Sequence, residues 1–208
     1  MLGIPVIVRA IQICQESGVF SSIVVSTDSE EIMSLAKAAG AQVHIRPSKL
    51  AGDHVSLLPV IAEATAHMDP DTPICCVYAT AVTLRPQELS DSWLQFQSQQ
   101  ADRSSNDLFL TGVVRYPHPI QRAMEMGPDG QMSMVAPEYA LTRTQDLPER
   151  WHDAGVFIWG TAQTWSKSDP VLTRAKGFPL AFSEVIDLDT EDDWQKAEAL
   201  LAIRESTS

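Results

Sequence analysis

Close to the C-terminus, VIDLDTEDDW at residues 185–194 crowds carboxylates into the place where a short apolar run gives way to a helix-like tail. Asp187 and Asp189 are spaced i, i+2, so on extended backbone both side chains point to one face. Two carboxylates so placed could meet a single hard cation such as Mg2+. In open parallel sheets ligands gather at the carboxyl ends of strands, which is where this pair would lie. A plainer account uses the same residues: Asp189 and Thr190 simply begin a helix, with Thr190 as its cap and Asp193 as the box partner. Spacing leaves both accounts open for Asp187 and Asp189, whereas Asp193 is assigned to the cap.

A second group lies mid-chain. Arg115, Arg122 and Arg143 fall near Gln121, Gln145, His118 and His152. Arginine's planar fork suits carboxylate and phosphate, so the set could hold an acidic, amide-bearing sugar, although solvated arginines and structural histidines are the commoner case. No Ser-His-Asp pattern is present. Cys14, Cys75 and Cys76 lack metal-ligand spacing, and alternation would send the adjacent pair to opposite faces, which reads as reduced structural thiols.

These residues need a frame, and the punctuation of the chain supplies one. Pro5, the apolar positions 7, 10, 11 and 14, and Ser17-Gly18 predict a helix with a proline start and a glycine stop. SIVVS at 22–26 reads as a strand, Asp28 with Glu31 as the start of a helix ending at Gly40, and QVHIR at 42–46 as a strand. The polar loop RPSKLAGDHVS leads to a helix near 57–68. ICCVYA at 74–79 has the unbroken apolar character of a central strand buried on both faces. Pro86 opens a helix with Leu89, Trp93 and Phe96 on one side, and LFLTGVV at 108–114 is the next strand. Residues 116–150 then carry five of the 13 prolines and a PDG turn at 128–130, which predicts a projecting antiparallel hairpin and loops. GVFIWG at 155–160 resumes the core, and SEVIDL feeds a last helix with Trp194, Ala197, Leu200 and Leu201 facing inward. Alternating strand and helix argues for an α/β fold with a mostly parallel sheet, in one domain over 1–208.

At 208 residues and 44% hydrophobic content the chain can bury an ordinary core. It contains no membrane-span-length apolar run and no secretory signal pattern, which reads as cytoplasmic. With 15 Lys plus Arg against 27 Asp plus Glu, the net charge of −12 opposes binding to nucleic acid or anionic membrane. An anionic substrate would need a local arginine cluster or a cation.

The stretches IVVSTDSEEI, CCVYATAVTLRP, YPHPIQRA, TRTQDLPERWHDAGVFIWG and IDLDTEDDW, in this order, resemble the cytidylyltransferases that activate nonulosonic acids. This is the CMP-sialic acid synthetase, or acylneuraminate cytidylyltransferase, family, and the likeness is nearest to its pseudaminic acid branch. It runs from residue 3 to residue 200. The resemblance implies a Rossmann-like nucleotide-diphospho-sugar transferase fold, a homodimer with 116–150 reaching the partner subunit, and Mg2+-dependent transfer of CMP from CTP to a nine-carbon sugar acid with release of pyrophosphate. Matched residue by residue, Asp187 and Asp189 would be the Mg2+ ligands and the acting pair of the site. Arg46, Asp53, Ser56, Thr80 and Arg85 would lie on the nucleotide side. Gln121, Arg122, Arg143, Gln145 and His152 would line the sugar pocket.

Two departures stand out. Members usually carry a Pro-Phe pair after the ATA stretch, where this chain has Val82-Thr83. They also open with a strand and a basic glycine-rich loop around the triphosphate, whereas MLGIPVIVRAI matches the segment after it. That difference is on the order of twenty residues and reads as an N-terminal truncation, with the expectation of a folded chain close to inactive toward CTP. Two other functions share the same residues: a non-catalytic homologue, and a D-x-D metal-dependent glycosyltransferase, in which the motif usually lies mid-chain.

Overall fold

A computed structural model describes residues 1–102, 107–167 and 170–207. The first half alternates helix and strand through α1 (Val6–Ser17), β1 (Val24–Thr27), α2 (Glu30–Ala38), β2 (Gln42–Ile45), α3 (Leu57–Thr65), β3 (Pro73–Val77) and α4 (Pro86–Ala101). Local chemistry explains the boundaries. Gly18 closes α1 in the left-handed conformation and donates its N–H to Gln15 O. Pro86 opens α4, where the Glu88 carboxylate reaches back to accept from Arg85 N at 2.8 Å. The cap of α2 is Ser29, whose Oγ accepts from Ile32 N at 3.4 Å, one residue beyond the expected Asp28.

The second half comprises β4 (Phe109–Arg115), β5 (Met124–Met126), β6 (Met132–Met134), β7 (Trp151–Thr161), α5 (Ala162–Trp165), β8 (Ala175–Leu180) and α6 (Glu191–Thr207). The principal sheet has the order β3-β7-β4-β8, and β1 pairs with β2 in a parallel ladder of its own. β8 is parallel to β4, while β7 runs antiparallel to both β3 and β4. The chain is therefore α/β, with β3, β4 and β8 pointing one way and β7 alone opposing them.

Two expectations about strands are corrected. The apolar run at 74–79 does not make a central strand: among the described residues β3 is laddered only to β7, and Ile74 to Val77 are half-buried. An apolar sequence says where side chains go and nothing about which backbone lies alongside. Near the C-terminus, residues 185–188 enter no ladder. The strand there is β8, whose AKGFPL sequence, with its charge, glycine and proline, carries no β-propensity signal.

The core between sheet and helices is aromatic. Trp159 of β7 lies against Phe20, and against Trp93 and Phe96 of α4, with ring centroids 5.1 to 5.6 Å apart. Its indole N–H donates to Ser92 Oγ at 2.9 Å, so the polar edge of this buried ring is satisfied. A second cluster of Met1, Val82, Ala197 and Leu201 docks α6, with Ile186, Leu188 and Trp194 packed around it. Residues 116–150 form the β5–β6 hairpin and short 3-10 turns, and most of them are exposed. Among the described residues no helix is long and apolar enough to cross a membrane.

Candidate active site

The carboxylate segment is positioned by alternation without a ladder. Ile186 and Leu188 are partly buried in the cluster around Val82 and Ala197, which leaves Asp187 and Asp189 exposed on the other side. The capping account is fulfilled by Thr190 and Asp193, the pair expected from sequence. Asp193 Oδ2 accepts from Thr190 N at 3.1 Å and from Thr190 Oγ1 at 2.6 Å, and Thr190 Oγ1 accepts from Asp193 N at 3.3 Å. This reciprocal box starts α6 without Asp187 or Asp189.

β7 supplies the opposite wall. Its ladder with β4 slips: Thr111 faces Ile158 and Val113 faces Asp153, so Gly112 alone spans residues 154–157 of β7. Such a bulge re-aims the bulged strand. At its centre Gly155 has φ +63°, and a Cβ there would fall 2.6 Å from Asp187 Oδ2. Glycine is required both by that backbone conformation and by the carboxylate resting on it. Two residues earlier, the Asp153 carboxylate accepts from Thr111 Oγ1 at 3.2 Å and from Gly155 N at 3.4 Å.

Like charge accumulates here. Partial burial first, then the charges of Asp189 and Asp153, raise the Asp187 carboxyl above its ordinary value. The Tyr78 hydroxyl after β3 is pushed up to about 12, by burial first and then by Cys76, Asp153 and Asp187. Among the described residues no lysine, arginine or histidine is ion-paired with Asp153, Asp187 or Asp189. Among the described residues no group of three or more potential ligands gathers closely enough to hold a metal by protein atoms alone. Two exposed, uncompensated hard oxygen donors suit a cation that keeps water and substrate phosphate in its shell, as Mg2+ does.

The loop after β3 abuts this segment. Val82, Thr83 and Leu84 are buried, Thr80 is half-buried, and Arg85 Nη2 meets Glu184 Oε2 at 2.6 Å. Of the other residues expected on the nucleotide side, Arg46 turns back to donate to Ser26 O at 2.6 Å, and Asp53 and Ser56 sit exposed before α3.

Of the residues expected around a sugar, Gln121, Arg122, Arg143 and His152 are engaged within 115–153. Gln121 is buried and donates from Nε2 to Pro148 O at 3.0 Å, leaving its Oε1 without a partner. Arg122 donates to Thr142 O, and Arg143 Nε pairs with Asp146 at 2.8 Å. Gln145 is exposed in a short 3-10 turn. His152 Nδ1 lies 2.8 Å from Asp153 O, and its ring lies 4.6 Å from that of Tyr116. An open cleft of about 520 Å³ nearby is lined by Arg115, Pro117, Glu149, Trp151, Leu180, Phe182 and Ser183, and by none of those five. The structure thus brings Asp187 to Gly155, Asp153 and Tyr78, with Asp189 beside Asp187, and joins the carboxylate segment to Thr83 and its neighbour Glu184 to Arg85. Asp153, Gly155 and Tyr78 were not singled out from sequence; the HDAG block was the signal available.

Comparison with known proteins bears on this geometry. The cytidylyltransferase family profile matches residues 1–124. A pseudaminic acid cytidylyltransferase of Campylobacter jejuni subsp. jejuni is 30% identical over 213 aligned residues, covering 100% of this chain and 89% of that protein. The chain belongs to the cytidylyltransferase family. This cytidylyltransferase is also 26% identical to N-acylneuraminate cytidylyltransferase B of Danio rerio, over 95% of the chain and 45% of the relative. Its fold is that of nucleotidyltransferases. The solved structure of CMP:2-keto-3-deoxy-manno-octonic acid synthetase with CTP aligns at TM-score 0.61, with 14% identity over 94% of this chain and 88% of the other. A 4-diphosphocytidyl-2C-methyl-D-erythritol synthase from Anaerococcus prevotii aligns at 0.60 with 10% identity, over 95% and 86%.

Proposed function

We propose, in place of the near-inactive chain expected above, that this cytidylyltransferase transfers CMP from CTP to a nonulosonic acid of the pseudaminic or sialic type, releasing pyrophosphate, with Asp187 and Asp189 as the residues that would hold Mg2+. The carrying observation is the exposed, uncompensated pair, with Asp187 seated against Gly155, in a chain similar over its whole length to a pseudaminic acid cytidylyltransferase. The anomeric hydroxyl oxygen of the sugar acid forms a bond to the α-phosphorus as the bond to the pyrophosphate oxygen breaks, and the hydroxyl proton passes to solvent. Mg2+, when bound, neutralises phosphate charge and steadies the leaving pyrophosphate. Asp187 and Asp189 would hold that cation. Thr80, Arg85, Arg46, Asp53 and Ser56 serve the nucleotide, and Gln121, Arg122, Arg143, Gln145 and His152 serve the sugar. Positioning and charge stabilisation carry the rate, and no general base is assigned.

The working form in this reading is a cytoplasmic homodimer. Met124, Met126, Met132, Val135 and Leu141 are exposed on 116–150, which supports placing that segment at a subunit interface. The test is pyrophosphate release with CTP and Mg2+, with pseudaminic or N-acetylneuraminic acid as acceptor, against UTP and EDTA controls. Release that needs CTP, a nine-carbon acid and the cation supports the reading. Release independent of the acid, or none with either acid, contradicts it.

A further inference from the structure

The family-departing pair Val82-Thr83 is where the loop after β3 grips the carboxylate segment. Thr83 is 0% exposed. Its Oγ1 accepts from Ile186 N at 3.2 Å, and its carbonyl accepts from Arg204 Nη1 at 2.6 Å. Arg204 also donates to Glu184 O at 3.2 Å, and the next loop residue but one, Arg85, pairs with Glu184. Val82 lies in the cluster that buries Ile186 and Leu188.

We propose that Thr83 is a positioning residue for the carboxylate pair: its hydroxyl sets the register of residues 186–189 against the loop, fixing Asp187 and Asp189 relative to Thr80 and Arg85. This rests on the metal reading of the pair given above. A strand at this place would be fixed by its ladder, but residues 185–188 have none. Among the described residues, the Ile186 to Thr83 bond is the one hydrogen bond by which the backbone of 185–189 reaches another element. Apolar packing of Ile186 and Leu188 holds the segment down but tolerates sliding, because it is not directional. A hydrogen bond is directional, and a donor left without its acceptor at a part-buried site is costly, so the hydroxyl supplies the register that packing does not. Valine has nearly the shape of threonine and lacks that acceptor.

The experiment measures amide exchange over 185–189 and the affinity for Mn2+, a paramagnetic stand-in for Mg2+, in the unsubstituted protein, Thr83→Val, Thr83→Ser and Asp187→Asn. Thr83→Val should speed exchange at Ile186 to Leu188 and weaken Mn2+ binding, each by about tenfold, the scale of one lost hydrogen bond. Thr83→Ser should restore both. Asp187→Asn should abolish Mn2+ binding with exchange unchanged. Equal exchange in Thr83→Val and the unsubstituted protein overturns the proposal. So does faster exchange with Mn2+ affinity intact, while Asp187→Asn loses it, since that is a structural role only. If Asp187→Asn binds Mn2+ normally, the metal reading has failed, and exchange alone then decides the role of Thr83. Should Thr83→Val not fold, Thr83→Ala compared with Thr83→Ser gives the same readout.

Discussion

Gly155 is where backbone conformation and site chemistry meet. Its φ of +63° strains any side chain, and a Cβ there would meet the Asp187 carboxylate at 2.6 Å. Gly155→Ala should cost about 1–2 kcal/mol of left-handed strain, seen as a fall of several degrees in Tm, and should lower CTP turnover by at least about tenfold as the carboxylate is displaced. A variant with unchanged Tm and turnover would mean that the carboxylate does not rest there. For Asp187 itself the sign follows from its raised carboxyl. The folded state binds that proton more tightly than the unfolded chain, so this contribution to stability is present below the unfolded pKa and is lost as pH rises through the folded one. At neutral pH the ionised group opposes folding. Asp187→Asn without metal should therefore unfold no earlier than the unsubstituted protein, while losing the rise in Tm that Mg2+ gives the latter. Equal Mg2+ responses in thermal melts would contradict the site.

Among the elements, α6 is tied to the site through its first turn. Asp193→Ala removes the acceptor for Thr190 N and Oγ1. It should cost about 1 kcal/mol in urea unfolding while leaving the Mg2+ response intact, because the cap and the carboxylate pair are separate. A lost Mg2+ response would merge them. The elements also show what could be read from sequence and what could not. Gly18, Pro86 and the PDG turn mark their boundaries because capping and turn chemistry is local. β8 was invisible because AKGFPL is held in place by its partner β4 and not by its own propensity. The position of β3 and the reversed direction of β7 depend on pairing between distant segments, which an apolar run does not encode. The site divides in the same way. The Asp187 and Asp189 pair was legible because alternation is local, whereas Gly155 and Thr83 joined it only through the bulge in β7 and the packing of the loop after β3.

Over the whole molecule, a net charge of −12 would repel a triphosphate unless a cation intervenes. In the proposed reading the carboxylate pair would supply the place for that cation, and the methionines exposed on the β5–β6 hairpin would supply the surface for a second subunit. Sedimentation should give a dimer at tens of micromolar protein, and replacing Met124 and Met126 by lysine should shift it to monomer without lowering Tm. A monomeric unsubstituted protein would contradict the assembly. The central claim is tested most directly by 31P NMR of one mixture, CTP with pseudaminic acid and Mg2+, run with the unsubstituted protein, Asp187→Asn and Asp189→Asn. The account predicts a CMP phosphodiester and pyrophosphate appearing in equal amounts with the unsubstituted protein, and rates lower by about a hundredfold or more in both folded variants. Equal rates in all three proteins would contradict it.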